Sequence, residues 1–505
     1  MKQPADSGEH PSPVDFAILS FVTPLESGCR IVDAQIENRE VESPHRPRRR
    51  WLKRLGCSLL ILALLLVLGY LWDSRKQSDK LQEMLADLDR REPGWRLEDL
   101  NAAREPIAEN ENSARTLIAA ADLLPRQWPP KEFFTRFENL PPQTQLSPAD
   151  LALLRSELFR IQPAVEEARK LADMPRGRHR LEYARNPIAT LLPDQSRCRE
   201  VYNVLYYDCL LLNQIEESEG ALRSCRALLN AARSLGDEPI FVSQLIRTSG
   251  VFRACHATER TLAQGEPPPD GTASLQKMFE EEDAFPGLLL ALRGERACLN
   301  QVIECVKRGE VSIDELAQSR SNWAERTVRQ LYRMDAGQDH ALFLSLMAQR
   351  IEDVQHPMHE QAALEKEFDS NVKKLPKNAV LTRLLIPATI KMGESDRRKH
   401  AALRCTIAAL AIERYRQAKK AWPNDWAHLC PAHLAAVPVD PFDGKPLRYR
   451  RVADGFVVYS VGADGVDNGG ALNQGFNTAP GTDIGIRLWD AAQRRQAPPD
   501  NRKAK

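Results

Sequence analysis

The longest uncharged stretch of the chain runs from Leu55 to Trp72 and contains eighteen residues. As a helix rising about 1.5 Å per residue it would reach about 27 Å, close to the roughly 30 Å hydrocarbon core of a bilayer. Acidic and basic residues mix on its C-terminal side. Its N-terminal side is basic and has no acid: Arg46, Arg48, Arg49, Arg50, Lys53 and Arg54. The stretch therefore predicts one transmembrane helix over 51–74, with the N-terminus in the cytoplasm and the bulk of the chain exported.

Two other interpretations of this stretch fit less well. A cleaved signal peptide needs a small-x-small site, and the bulky Gly69-Tyr70-Leu71-Trp72 does not provide one. A buried helix of a soluble protein usually carries polar residues on at least one face. We therefore expect a single-pass protein of the cytoplasmic membrane that contacts the bilayer through Leu55–Trp72.

Composition limits the function classes. The net charge of +1 argues against a nucleic-acid-binding protein, because such proteins usually show a strong basic excess. Eight of the ten cysteines follow the predicted anchor, and no CxxC motif occurs. Export would permit one or two disulfides, whose pairing the sequence does not reveal.

The 505 residues are enough for two or three domains. We expect a disordered cytoplasmic tail over 1–50, although a start codon assigned too far upstream would also explain that segment. A helical exported domain should follow the anchor over 75–395, then a small module over 396–490 and a disordered tail over 491–505.

Helical periodicity dominates the region after the anchor. Apolar stripes over 201–215 and 222–232 predict two helices, and the short polar join between them predicts that they lie antiparallel. The segment 220–225 recurs in part as 250–255, a period near thirty residues that is typical of stacked helix pairs. An irregular helical bundle fits the same pattern equally well. No GxSxG, Walker or GxGxxG motif occurs, so no reaction can be predicted from motifs.

The pattern changes near residue 398. A helix over 401–418 leads through a proline-rich loop over 438–446 to two short apolar segments joined at Asp454-Gly455, a hairpin signal. Four glycines and three Asp or Asn residues then fall within 462–470. Such a loop can curve around a hard cation, and Ca²⁺ prefers six to eight oxygen ligands. A glycine-rich turn without metal is the alternative.

This order of helix, Trp422-Pro423, VPVDPFDGKPLRYR, VYSVGADG and closing Thr482-Asp483-Ile484 resembles the globular domain of the major pseudopilin of type II secretion. The resemblance covers roughly ninety residues and implies a long helix, a small antiparallel sheet and a calcium-binding loop. Matched residue by residue, the resemblance implies three calcium ligands: Val461 through its carbonyl oxygen, Asp464 through its carboxylate, and Asp483 as a third ligand. Asp467 would replace an acid displaced by the insertion 471–481.

The resemblance ends at the N-terminus. A pseudopilin has a prepilin-peptidase site followed by an apolar helix with glutamate at its fifth position, and Leu55–Trp72 has no glutamate. Processing into a pilus subunit is therefore not expected. The overall layout is also similar to uncharacterised single-pass bacterial envelope proteins that carry a segment like Pro93–Asp99 and the same ending.

These observations predict a mainly α-helical, membrane-anchored envelope protein with a calcium-stabilised pseudopilin-like module. Its predicted role is non-catalytic interaction or assembly with an envelope protein partner. The alternative is an exported hydrolase with a site in the helical domain. A deep pocket with converging titratable side chains would favour the hydrolase, and a smooth concave surface would favour the interaction role.

Overall fold

A computed structural model describes residues 48–317, 337–472 and 481–498 of the chain. The chain divides into two compact units, Met1–Leu68 and Gly69–Lys505. The tail predicted over 1–50 lies outside the described residues, except for 48–50, which are helical. Residues 499–505 also lie outside them.

Helices make up most of the described chain, together with three short strands and four 3-10 turns at Lys170–Asp173, Pro187–Ala189, Trp426–His428 and Ala491–Gln493. The helices are α1 Arg48–Arg91, α2 Leu97–Ala102, α3 Ser113–Asp122, α4 Lys131–Phe137, α5 Pro148–Arg160, α6 Gln162–Arg169, α7 Asp194–Gln214, α8 Ser218–Arg233, α9 Phe241–Gln264, α10 Pro269–Asp283, α11 Gly287–Arg308, α12 Ile313–Ala317, α13 Gly337–Asp353, α14 Met358–Lys373, α15 Val380–Leu385 and α16 Pro387–Lys419. The strands are β1 Arg448–Val452, β2 Gly455–Ser460 and β3 Ile484–Trp489. The prediction of a mainly α protein with a small antiparallel sheet is confirmed.

The predicted membrane anchor is wrong. Within the described residues, no helix combines the length and the apolar character that crossing a membrane requires. Leu55–Trp72 belongs instead to α1, a helix of 44 residues that carries charged residues both before and after this stretch. The transmembrane assignment over 51–74, the membrane contact and the single-pass, exported location inferred from it are therefore corrected.

The core of the helical part forms around α7, α8 and α9, which pack on one another. The predicted pair of helices is present, since α7 ends at Gln214 and α8 begins at Ser218. However, α10 packs mainly on α8 and α16 and much less on its neighbour in sequence, α9. This arrangement favours the irregular bundle over stacked pairs of consecutive helices.

The cysteines of the described residues are all free thiols. Cys209 of α7 and Cys225 of α8 come closest, with 3.6 Å between their sulfur atoms. The predicted disulfides are therefore not formed among the described residues.

The C-terminal sheet packs on the same core as the helices. Its strands are antiparallel in the order β1-β2-β3, and Val452 pairs with Gly455 across the predicted hairpin turn. Phe456 faces Leu488 and Val458 faces Ile486 in the register, and all four side chains are buried in the core. Successive side chains of a strand point to opposite faces of the sheet. The residues between these pairs therefore lie on the other face, which we call the free face of the sheet.

The two segments that flank the predicted module differ from expectation. α16 begins at Pro387, so it runs through the predicted boundary at 395–396. Residues 491–498, predicted as part of a disordered tail, are fixed by hydrogen bonds. Arg494 donates to both oxygens of the buried Glu413, and the Gln496 nitrogen donates to the Gln143 carbonyl oxygen at 2.8 Å.

Candidate functional site

The loop that follows β2 contains the predicted calcium ligands. Asp464 accepts hydrogen bonds from the Val466 nitrogen at 3.0 Å and from the Gly481 nitrogen at 3.3 Å. The bond from Val466 is the main reason that the pKa of Asp464 lies below its usual value. Asp483 is buried just before β3, and its two oxygens accept from the nitrogens of Asn468 and Gly470 at 3.2 and 2.7 Å.

Asn468 connects two of the predicted ligands. Its backbone nitrogen donates to Asp483, while its side-chain nitrogen lies 3.5 Å from Asp464. The structure therefore connects Asp464 and Asp483 through one shared residue, Asn468. Val461 lies at the start of the loop, and its nitrogen donates to Asp440 at 2.9 Å.

Asp467, unlike Asp464 and Asp483, accepts a hydrogen bond from an arginine side chain. Its carboxylate accepts from Arg448 at 3.1 Å and from the Gly469 nitrogen at 2.9 Å. An arginine already compensates this charge, so Asp467 is the least suitable of the four for a cation. No group of three or more His, Cys, Asp or Glu side chains suited to a metal is found in the described ranges. Calcium at this loop stays a prediction.

A residue that the sequence did not single out holds this loop in place. Asp440 is fully buried in the proline-rich loop and accepts from the Ser460 hydroxyl at 2.7 Å and from Arg448 at 3.3 Å. Burial raises the pKa of Asp440, and hydrogen bonds from the Phe442 nitrogen, the Ser460 hydroxyl and the Val461 nitrogen act against that rise. Arg448 therefore ties the proline-rich loop to the glycine-rich loop through Asp440 and Asp467.

A cavity of about 360 Å³ lies between α9 and the free face of the sheet, and we call it the α9 cavity. Loop residues 138–143 and residues Ala402 and Thr406 of α16 complete its walls. One face of α9 lines it, through Phe252, Cys255, His256, Glu259 and Arg260. The spacing of three and four residues places these five side chains on one side of a helix.

The sheet contributes a row of three residues to the opposite wall. Val457 of β2 pairs with Arg450 of β1 on one side and with Arg487 of β3 on the other. All three line the α9 cavity. Register thus places two guanidinium groups beside the charged face of α9.

Burial shifts the titration of the α9 side chains. It raises the pKa of Glu259 to about 7, although the hydrogen bond from the Arg487 nitrogen at 3.1 Å acts in the opposite direction. It lowers the pKa of His256 to about 4, and the charge of Arg253 lowers it further. His256 is therefore neutral near pH 7, while Glu259 gains or loses its proton close to neutral pH.

A second cluster lies in the helical part, away from the cavity. The His179 ring nitrogens lie 3.1 Å from Asp194 and 3.3 Å from the Ser234 hydroxyl, an arrangement like that of a Ser-His-Asp triad. The hydrogen bond to His179 is the main reason that the pKa of Asp194 lies below its usual value. However, Ser234 is 0% exposed, and a methyl group on Gly177 would lie 2.6 Å from its carbonyl oxygen. No room for a substrate is left at this serine.

Sequence reasoning did not find the α9 cavity. The signal was present in α9, where His256, Glu259 and Arg260 interrupt a helix whose other positions are mostly apolar or small. Polar residues on one face of a helix usually indicate solvent, and only the sheet on the other side makes this face the wall of a cavity.

No known protein family, curated protein or solved structure matches this chain. The pseudopilin resemblance therefore depends only on the residues quoted above.

Proposed function

We propose that this protein binds a small polar molecule in the α9 cavity and that its role there is non-catalytic. The observation that carries the proposal is the cavity itself, about 360 Å³ in volume, with charged side chains entering from both a helix and a sheet. Binding pockets of proteins are concave and contain a few placed polar groups that orient the ligand. The interaction with an envelope protein partner remains a separate prediction, which this proposal does not replace.

The position of the cavity supports the proposal. α9 belongs to the helical core, whereas Arg450, Val457 and Arg487 come from the sheet. Sites built where two structural parts meet are common among ligand-binding proteins, because each part contributes different groups. The backbone nitrogen of Arg487 donates a hydrogen bond to the Glu259 carboxylate across this junction, so the sheet and α9 are directly bonded to each other.

Converging titratable side chains were the feature expected of an enzyme, and the α9 cavity contains them. Covalent catalysis would also need an activated nucleophile. Burial raises the pKa of Cys255 to about 12, so its thiol stays protonated at neutral pH. The Thr406 hydroxyl donates to the Ala402 carbonyl oxygen at 2.7 Å. The described lining thus supplies binding groups and two side chains that can exchange a proton, His256 and Glu259, but no activated nucleophile.

Calcium belongs to the proposal as a stabilising ion. Asp464 and Asp483 would hold it with carbonyl oxygens of the loop, and it would supply positive charge between two carboxylates. Gly470 and Asp483 also line the α9 cavity, so the ion would fix one edge of the proposed binding site.

A thermal-shift screen with a matched pair of variants tests the proposal. Ala402→Leu adds bulk at the cavity wall, and Ala418→Leu makes the same change at an exposed position of the same helix. We expect at least one compound of a panel of small neutral, cationic and anionic metabolites to raise the melting temperature. That rise should disappear in Ala402→Leu and persist in Ala418→Leu. A panel without any active compound, or a rise that survives Ala402→Leu, would contradict the proposal.

The hydrolase is the second candidate, and the Ser234-His179-Asp194 geometry is what favours it. It requires Ser234 to become accessible through a movement of the segment around Gly177. A fluorophosphonate probe labels activated serines, so labelling of the wild type but not of Ser234→Ala would establish this candidate. We expect no labelling, because the Ser234 hydroxyl is buried and donates to the Ala231 carbonyl oxygen at 2.7 Å.

A further inference from the structure

We infer that the molecule bound in the α9 cavity is a small anion that carries a carboxylate or phosphate group. This inference rests on the proposed function, since it names the chemical class of the ligand for the same cavity.

The first argument is the number of hydrogen-bond donors that lack an acceptor. Arg450 is an exposed residue that lines the cavity and makes no hydrogen bond or ion pair with any other described residue. The Nε atoms of Arg260 and Arg487 are also without an acceptor. Buried donors in proteins are usually bound to acceptors, so the two buried Nε atoms indicate that a ligand supplies the missing oxygen atoms. Arg450 adds a third guanidinium group around the same cavity, without a carboxylate partner of its own.

The acceptors of the cavity, in contrast, are largely occupied. Both oxygens of Glu138 accept from Arg253, at 2.8 and 3.2 Å. Both oxygens of Asp483 accept from backbone nitrogens, and Glu259 accepts from the Arg487 nitrogen. The Gln143 Oε1 atom is the side-chain acceptor of the described lining that is buried without a donor. Most carboxylate oxygens of the described lining are therefore already bound, whereas its guanidinium groups keep unused donors, which suits an oxyanion better than a cation.

The second argument is the charge of Arg260. This side chain is 4% exposed and donates only to the carbonyl oxygens of Pro141 and Thr144, at 3.2 and 2.8 Å. It forms no ion pair with a described carboxylate, and the charged group that acts on it is another cation, Arg495. A buried charge without a counter-ion is unfavourable. An anion in the cavity would compensate Arg260 through space, while Arg450 would contact the anion directly.

Direct binding measurements on the full chain test this inference. Isothermal titration calorimetry at constant ionic strength would use inorganic phosphate and succinate as the two anionic probes. Succinamide would serve as the neutral match of succinate, and putrescine as a cation. Comparison of phosphate with succinate distinguishes a phosphate ligand from a carboxylate ligand.

The decisive variant is Arg450→Gln, which keeps a long polar side chain and removes its charge. Arg451→Gln is its control, because Arg451 is next to it on β1, pairs with Asp490 and does not line the cavity. We expect Arg450→Gln to weaken binding of the anionic probe about tenfold or more, as for the loss of a charged hydrogen bond. Arg451→Gln should leave the affinity within about twofold.

Two results would overturn the inference while leaving the proposed function intact. One is binding of succinamide or putrescine without binding of either anion. The other is an anion affinity that neither Arg450→Gln nor Ala402→Leu changes, because the anion would then bind outside the α9 cavity. The proposed function itself fails if none of the four probes binds and the metabolite screen is also empty.

Discussion

Replacing Glu259 by glutamine should stabilise the protein in alkaline solution and have a smaller effect in acid. Glu259 lies at the wall of the α9 cavity, where burial raises its pKa from the usual 4.5 to about 7. Glutamine keeps an oxygen that can accept from the Arg487 nitrogen, so the change removes the ionisable group and retains the hydrogen bond.

The magnitude follows from the two pKa values. The folded chain binds the Glu259 proton more tightly than the unfolded chain, so the free energy of unfolding falls as the pH rises from 4.5 towards 7. The difference of about 2.5 between these values corresponds to at most about 3.4 kcal/mol above pH 7. Because Glu259 is partly accessible in the cavity, screening by water reduces the expected effect to about 1–2 kcal/mol.

Urea denaturation at about pH 5 and about pH 8.5 measures this difference, with Glu352→Gln as the control. Glu352 is exposed on α13 and makes no ion pair with another described residue, so its replacement should have little effect at either pH. Glu259→Gln should raise the free energy of unfolding mainly at the higher pH. An effect of equal size at both pH values, or a loss of stability at both, would refute the assignment of Glu259 as a destabilising carboxylate.

Three further predictions concern the core, the glycine-rich loop and a buried histidine. Leu229→Ala should cost about 2–5 kcal/mol in urea denaturation, because Leu229 is fully buried in the core, whereas Leu191→Ala, at a position 85% exposed, should change stability little. Millimolar Ca²⁺ should raise the melting temperature of the full chain, and Mg²⁺ should raise it less. Asp464→Ala should remove this shift, whereas the control Asp425→Ala, at an exposed position, should retain it. No shift in the wild type would show that the loop is a glycine-rich turn without metal. Burial alone would lower the pKa of His400, but hydrogen bonds to Asp283 and Asp396 outweigh it and raise the pKa, with the His400 Nδ1 atom 2.6 Å from Asp283. His400 therefore stabilises the fold fully below its unfolded pKa of 6.5 and loses this contribution as the pH rises through the higher folded pKa. His400→Gln should accordingly lower the free energy of unfolding more at pH 5.5 than at pH 9. An equal loss of stability at both pH values would contradict this linkage.

Local elements of the fold could be predicted from the sequence. The apolar stripes over 201–215 and 222–232 correspond to α7 and α8, and Asp454-Gly455 lies at the turn between β1 and β2. In each case the signal comes from residues close together in the chain, where helical periodicity or turn chemistry acts directly.

The same kind of local evidence failed for Leu55–Trp72. The length and hydrophobicity of this apolar run predict a membrane span, but the run forms part of the 44-residue helix α1. The part of α1 from residue 75 to Arg91 falls in the segment that the sequence predicts as a separate helical domain.

The candidate site could not be predicted, because its parts are far apart in the sequence. The hydrogen bond between Glu259 and the Arg487 nitrogen joins residues 228 positions apart. The sequence shows the polar side chains of α9, but not that a sheet strand covers them and changes the pKa of Glu259. Such long-range packing depends on the whole fold, whereas the predicted ligands Asp464 and Asp483 could be located from a short motif.

A crystal structure of the protein grown with millimolar succinate tests the central claim most directly. We predict electron density for the dicarboxylate inside the α9 cavity, with a carboxylate oxygen within hydrogen-bonding distance of the Arg450 guanidinium group. Closure of the space between α9 and the sheet by protein side chains would contradict the account, since no binding site would then remain between these two walls.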